Sequence, residues 1–85
     1  MKHIKKLHEM LIKAKIPHTY DRLYNGHQIK VLGNSIISHE FSYGGQSGLL
    51  EVMGSISQEE DDDVEGWLFA EEVFARIEQL NWKRN

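Results

Sequence analysis

Apolar residues recur at helical spacing along the first stretch of the chain. Ile4, Leu7, Leu11 and Ala14 fall at i, i+3, i+7 and i+10, with Lys5, Lys6, Glu9 and Lys13 on the opposite side. That pattern predicts an amphipathic helix over 2–15. Ile16-Pro17 ends it, because a residue before proline is pushed out of the helical region. The same spacing returns near the other end, where Val73, Phe74, Ile77 and Leu80 make an apolar stripe. Glu71 and Glu72 sit in the first turn there and Lys83 and Arg84 follow at the end, an order that complements the helix dipole. Phe69 stands where a Ser, Thr or Asp cap is expected. An uncapped start costs about 1 kcal/mol unless another group, such as a partner or a neighbouring subunit, supplies the cap.

Between the helices the period shortens. Residues 18–24 (HTYDRLY) and 27–32 (HQIKVL) are β-prone runs separated by Asn25-Gly26, a strong local hairpin signal because a type I′ turn needs positive φ at both central positions. Gly33-Asn34 is a second turn candidate, followed by a third strand over 35–43 (SIISHEFSY). A glycine-rich break, Gly44-Gly45-Gln46-Ser47-Gly48, separates it from a fourth short strand, 49–53 (LLEVM). Ser57-Gln58-Glu59-Glu60 has the form of a capping box and predicts a single helical turn. Residues 64–68 read as a further edge strand or an extended lead-in. The predicted fold is α+β: an N-terminal helix, a four- or five-stranded antiparallel meander, and a C-terminal helix packed on the same face of the sheet. Ile36 and Ile37 point to opposite faces and are both apolar, so the pattern does not choose the buried face of the third strand.

The 85 residues hold 40 % apolar side chains, enough for one core, and no linker or repeat divides them, so 1–85 is read as a single domain. The chain has no cysteine, which excludes disulfides, thiolate metal sites and a cysteine nucleophile. No apolar run approaches the ~20 residues needed to span a bilayer, and the charged first ten residues do not form a signal peptide. A cytoplasmic location is expected. Charge is segregated: residues 1–30 carry seven Lys or Arg against two acids, and residues 31–85 carry three against eleven. Such asymmetry suits either a partner-binding dipole or mutual attraction of the two halves on folding.

Few residues suggest chemistry. If both turn dipeptides form two-residue turns, His27 lies opposite Tyr24 on one side and Glu40 on the other, a small polar cluster. No HExxH or comparable spacing makes it a metal site, and neither a metal nor a cofactor is expected. The serines lie in no nucleophile elbow and have no adjacent base, so the chain is not read as an enzyme. The loop of Tyr43, Gly44, Gly45, Gln46, Ser47 and Gly48 could let an anion approach its backbone, with Tyr43 stacking on a base, but it lacks the lysine and following helix of a phosphate loop. The acidic run Glu59, Glu60, Asp61, Asp62 and Asp63 offers a dense negative patch, and Trp67, if exposed, would mark a partner site.

Ser42-Tyr43-Gly44, the run Gly48–Gly54, Gly66-Trp67-Leu68 and the run Ala70–Ile77 together resemble a pattern in short uncharacterised proteins of phages and prophages of Gram-positive bacteria. The likeness covers under half of the chain. Phe69 departs from it, since the similar proteins tend to carry a threonine cap there. The resemblance implies a phage accessory protein of unknown function and brings no catalytic residues with it. The expectation is therefore a non-enzymatic protein that binds a host or phage protein through Glu59–Asp63 and Trp67, with a homodimer compatible. Two alternatives stand beside it: a small-ligand or nucleotide sponge on the Gly44–Gly48 loop, and a weak nucleic-acid binder using Lys2, Lys5, Lys6 and Lys13.

Overall fold

The computed structural model describes residues 2–39, 41–59 and 63–84. Helix α1 (Lys2–Lys13) is followed by a five-stranded antiparallel meander, β1 (Thr19–Leu23), β2 (Gly26–Val31), β3 (Asn34–Ser38), β4 (Leu50–Met53) and β5 (Val64–Leu68). Helix α2 (Ala70–Arg84) closes the chain. Each strand pairs with its neighbour in sequence. The fold is the predicted α+β arrangement, with the fifth strand formed. No helix among the described residues is long and apolar enough to cross a membrane.

The core is aliphatic. Ile4, Leu7 and Leu11 of α1 and Ala70, Val73 and Ile77 of α2 bury against Ile29, Val31, Ile36, Leu50, Val52 and Leu68 of the sheet. Ile36 therefore faces inward and Ile37 outward, half-buried. α1 ends in a Schellman motif: Ile16 N–H reaches the Leu11 carbonyl and Lys15 N–H that of Ile12, both at 3.0 Å, with Lys15 in the left-handed region. Ile16 and Leu11 both enter the core, the apolar contact that accompanies this motif. Proline merely follows the stop.

Both hairpin turns sit one residue earlier than the dipeptides suggested. Leu23 pairs with Gly26 and Val31 with Asn34, so the turn residues are Tyr24-Asn25 and Leu32-Gly33. The expected register would have set Arg22 beside Ile29 at the centre of the buried face. The observed one places Arg22 opposite His27 and gives Ile29 to Tyr20. The anticipated Tyr24–His27 pairing is thus absent, and Glu40 lies outside the described residues. In the second turn Gly33 takes the position that favours positive φ. Asn34 is freed to accept the Ile56 N–H at 3.0 Å and to donate to the Leu32 carbonyl at 3.2 Å, pinning the loop after β4.

β3 stops at Ser38 rather than running to Tyr43, because His39 begins a tight loop. No helical turn forms over 57–59, where Ser57 Oγ accepts the Glu59 N–H. The start of α2 is capped from two sides. Glu72 Oε1 accepts the Phe69 N–H at 3.1 Å, and His3 Nδ1 on α1 accepts the Ala70 N–H at 3.1 Å. The cap missing from the local sequence thus comes from a residue 67 positions away in the chain.

The glycines differ in what they tolerate. A Cβ at Gly45 would overlap the His39 carbonyl, whereas Gly33 has open space and only its φ of 81° to oppose a side chain. Gly45→Ala is expected to destabilise the fold by more than about 2 kcal/mol and Gly33→Ala by about 1 kcal/mol. Chemical denaturation of the two variants beside the parent protein measures both.

Candidate functional site: an aromatic end of the sheet

β5 must satisfy two inward demands three positions apart. Glu65, opposite the buried Val52, meets Arg76 of α2 in a two-pronged ion pair at 2.8 and 3.3 Å, and Leu68, opposite Leu50, enters the core. A regular strand would send one of them outward, since side chains alternate. The register instead shifts between Leu50 and Val52, so that Gly66 and Trp67 together face Glu51. Trp67 sits at the shift with φ 62° and its ring in solvent. A bulky residue in that region is strained, by about 1–2 kcal/mol. Arg76 also donates to the Ile56 carbonyl and, chiefly through its bond, holds the Glu65 carboxyl below its ordinary range.

The loop after β3 folds against this bulge. Ser42 Oγ donates to the His39 carbonyl and accepts the His39 N–H, closing a small ring. Gly45–Ser47 forms one 3₁₀ turn between two left-handed glycines, Gly44 and Gly48. Tyr43 then donates its N–H to Glu51 at 3.1 Å and accepts the Trp67 N–H at 3.3 Å. Gly66 has no side chain because Tyr43 packs on it. The amides of Ser42, Tyr43, Gly45, Ser47 and Gly48 are all bonded within the protein, so the segment read as an anion cradle is mostly spent on its own closure.

What the loop leaves outside is aromatic. Tyr24, Phe41, Tyr43 and Trp67 are 77, 75, 64 and 62 % exposed. Buried His39 joins two of them, with its ring 5.3 Å from Tyr24 and 6.2 Å from Phe41, and its Nδ1 accepts the Phe41 N–H. Phe41 and Trp67 flank a cleft of about 250 Å³ whose other walls are Ser42, Gly44 and Gln46. Exposed rings set on hydrogen-bonded backbone can contribute large contact area at little cost in side-chain entropy.

The residues singled out from sequence do not form one site. Trp67 groups with Tyr43 and its glycine loop. Exposed Asp63 and Glu59 lie at the other end of β5, where the Asp63 carbonyl accepts the Gly54 N–H. Glu60, Asp61 and Asp62 lie outside the described residues. Lys2, Lys5 and Lys13 are exposed along α1, but Lys6 is tied to Glu71 of α2 at 2.7 Å. Tyr24 and Phe41 were missed. Their signal was available in the surplus of aromatic side chains over those an aliphatic core had room for. Among the described residues no three histidine or carboxylate side chains converge as a metal site.

No family model, no curated protein and no solved structure matches this chain.

Because Trp67 carries strain that its exposed ring does not repay by burial, Trp67→Gly is expected to leave the fold as stable as the parent or about 1 kcal/mol more so. Thermal unfolding of the variant checks it, and a clear loss of stability would mean that the indole holds the loop in place.

Proposed function

We propose that this chain is a small non-enzymatic binding protein that captures a protein partner on the aromatic end of its sheet. The observation that carries the reading is the joint exposure of Tyr24, Phe41, Tyr43 and Trp67 around one closed loop, with Trp67 held outward at the expense of backbone strain. The resemblance of residues 39–77 to phage and prophage proteins supports placing it among their accessory proteins, acting on a host protein in the host cytoplasm. The acidic residues at the opposite end of β5 make a separate negative region that would steer a basic partner without forming the contact core.

A second reading rests on the cleft between Phe41 and Trp67, whose size suits one planar ring system stacked between them. Native mass spectrometry of the protein purified gently from host-cell extract separates the two. A stoichiometric protein supports the first, and an added mass of a few hundred daltons supports the second.

Trp67→Ala and Phe41→Ala are each expected to weaken partner capture by at least about tenfold, the scale of a central aromatic contact. Asp63→Lys should change it far less at moderate salt. Quantitative pull-down against immobilised variants reads the difference, and equal loss in all three would move the contact away from the aromatic end.

A further inference from the structure

Four of the five histidines gather around α1, and two of the hydrogen bonds they make there need a free lone pair on a ring nitrogen. His3 Nδ1 receives the Ala70 N–H, and the His3 ring lies 5.2 Å from that of Phe69. His18 Nδ1 faces the Ile16 carbonyl at 2.8 Å, so that nitrogen carries the hydrogen. His18 Nε2 is then the acceptor for His8 Nδ1, also at 2.8 Å. This His8–His18 pair accommodates one added proton but not two, because a doubly charged pair would set hydrogens on both facing nitrogens. His8 stacks on Tyr20 of β1 at 4.0 Å, and Tyr20 on His27 of β2 at 4.9 Å. His27 Nδ1 is enclosed and has no hydrogen-bond partner.

The charged surroundings point the same way. Lys5 of α1 and Arg22 of β1 face His27, and uncharged Ser38 stands opposite it on β3. Glu9 favours a charged His8, against burial and His18; Glu71 of α2 lies near His3. Burial first, then His18, holds the His8 imidazole below its ordinary value of 6.5. Burial first, then Arg22 and Lys5, does the same for His27. With folded values below 6.5, the unfolded chain takes up protons first as pH falls through that value. The docked arrangement loses stability from there downward and is unaffected well above it.

We propose that α1 is an acid-released helix: the lone-pair contacts of His3 and of the His8–His18 pair, with the enclosed His27 ring, latch it to α2 and to the β1–β2 end of the sheet, and proton uptake undocks it before the meander opens. The β-ladders are built of backbone bonds with no histidine ring in them, and the remaining ring lone pair of this kind, that of His39 Nδ1 receiving the Phe41 N–H, lies in the loop after β3. Undocking lays bare the inner face around Ile29 and Ile36.

Amide hydrogen exchange of the full chain by NMR, corrected for intrinsic rates, tests this at about pH 7.5 and about pH 5.5. Protection of Leu7–Leu11 is expected to fall at least about tenfold at the lower pH, while that of Ile29 and Ile36 changes less than about twofold. Parallel loss across α1 and the meander, or no loss in α1, overturns the proposal. His27→Phe keeps the ring stack and removes the enclosed nitrogen, and it should retain more α1 protection at the lower pH than the parent. Release of α1 in His27→Phe to the same extent as in the parent also overturns it.

Discussion

The ion pair between Arg76 and Glu65 fixes more of this molecule than its size suggests. Arg76 projects from the core side of α2, and its planar guanidinium matches a carboxylate with two parallel bonds. Glu65 must therefore face the helices. Leu68, three residues on, must also face them to close the core beneath Ala70 and Val73. A strand cannot meet both demands with regular alternation, and the bulge at Gly66-Trp67 resolves the conflict. From the bulge follow the outward Trp67, the bare backbone at Gly66 that accepts Tyr43, and the closure of the preceding loop. Two half-buried charges thus set the position of an aromatic surface on the other side of the sheet.

That surface also reflects how a small core is filled. Six of the eight aromatic side chains are exposed, and the interior is built from isoleucine, leucine, valine and one alanine. Branched aliphatics interdigitate well between a single sheet and two helices, and large rings would force gaps in a layer this thin. Expelled rings are not a stability device. The gathering of four of them at one end, on backbone bonded at nearly every amide, separates the part of the sequence that folds from the part that is presented.

The two helices and the meander order were legible because they rest on period and on local turn chemistry. Ile4, Leu7 and Leu11 announce a helix without reference to anything distant. The exact turn positions were not legible, since Asn25-Gly26 satisfies local turn preferences while the choice of register depended on keeping Arg22 away from Ile29. The cap of α2 was hidden for the same reason: His3 is remote in sequence and adjacent in space. At the site, Tyr43 and Trp67 could be suspected one at a time. Their meeting with Phe41 and Tyr24 required the bulge, which only the Arg76–Glu65 pairing explains. Glu59 and Asp63 drew notice by composition alone, and composition carried no information about their distance from the rings.

The strictly sequential strand order has a kinetic consequence. Every β-ladder joins neighbours in the chain, so the meander can zip from hairpin to hairpin with short closures and modest entropy loss at each step. The contact between the first turns of α1 and α2 is the opposite case, joining His3 to Ala70 and Lys6 to Glu71 across most of the chain. It forms only once the intervening sheet has drawn the two ends together. The molecule is thus assembled as a locally folding ribbon sealed by one long-range clasp, and on a ribosome that clasp waits until the final helix has emerged.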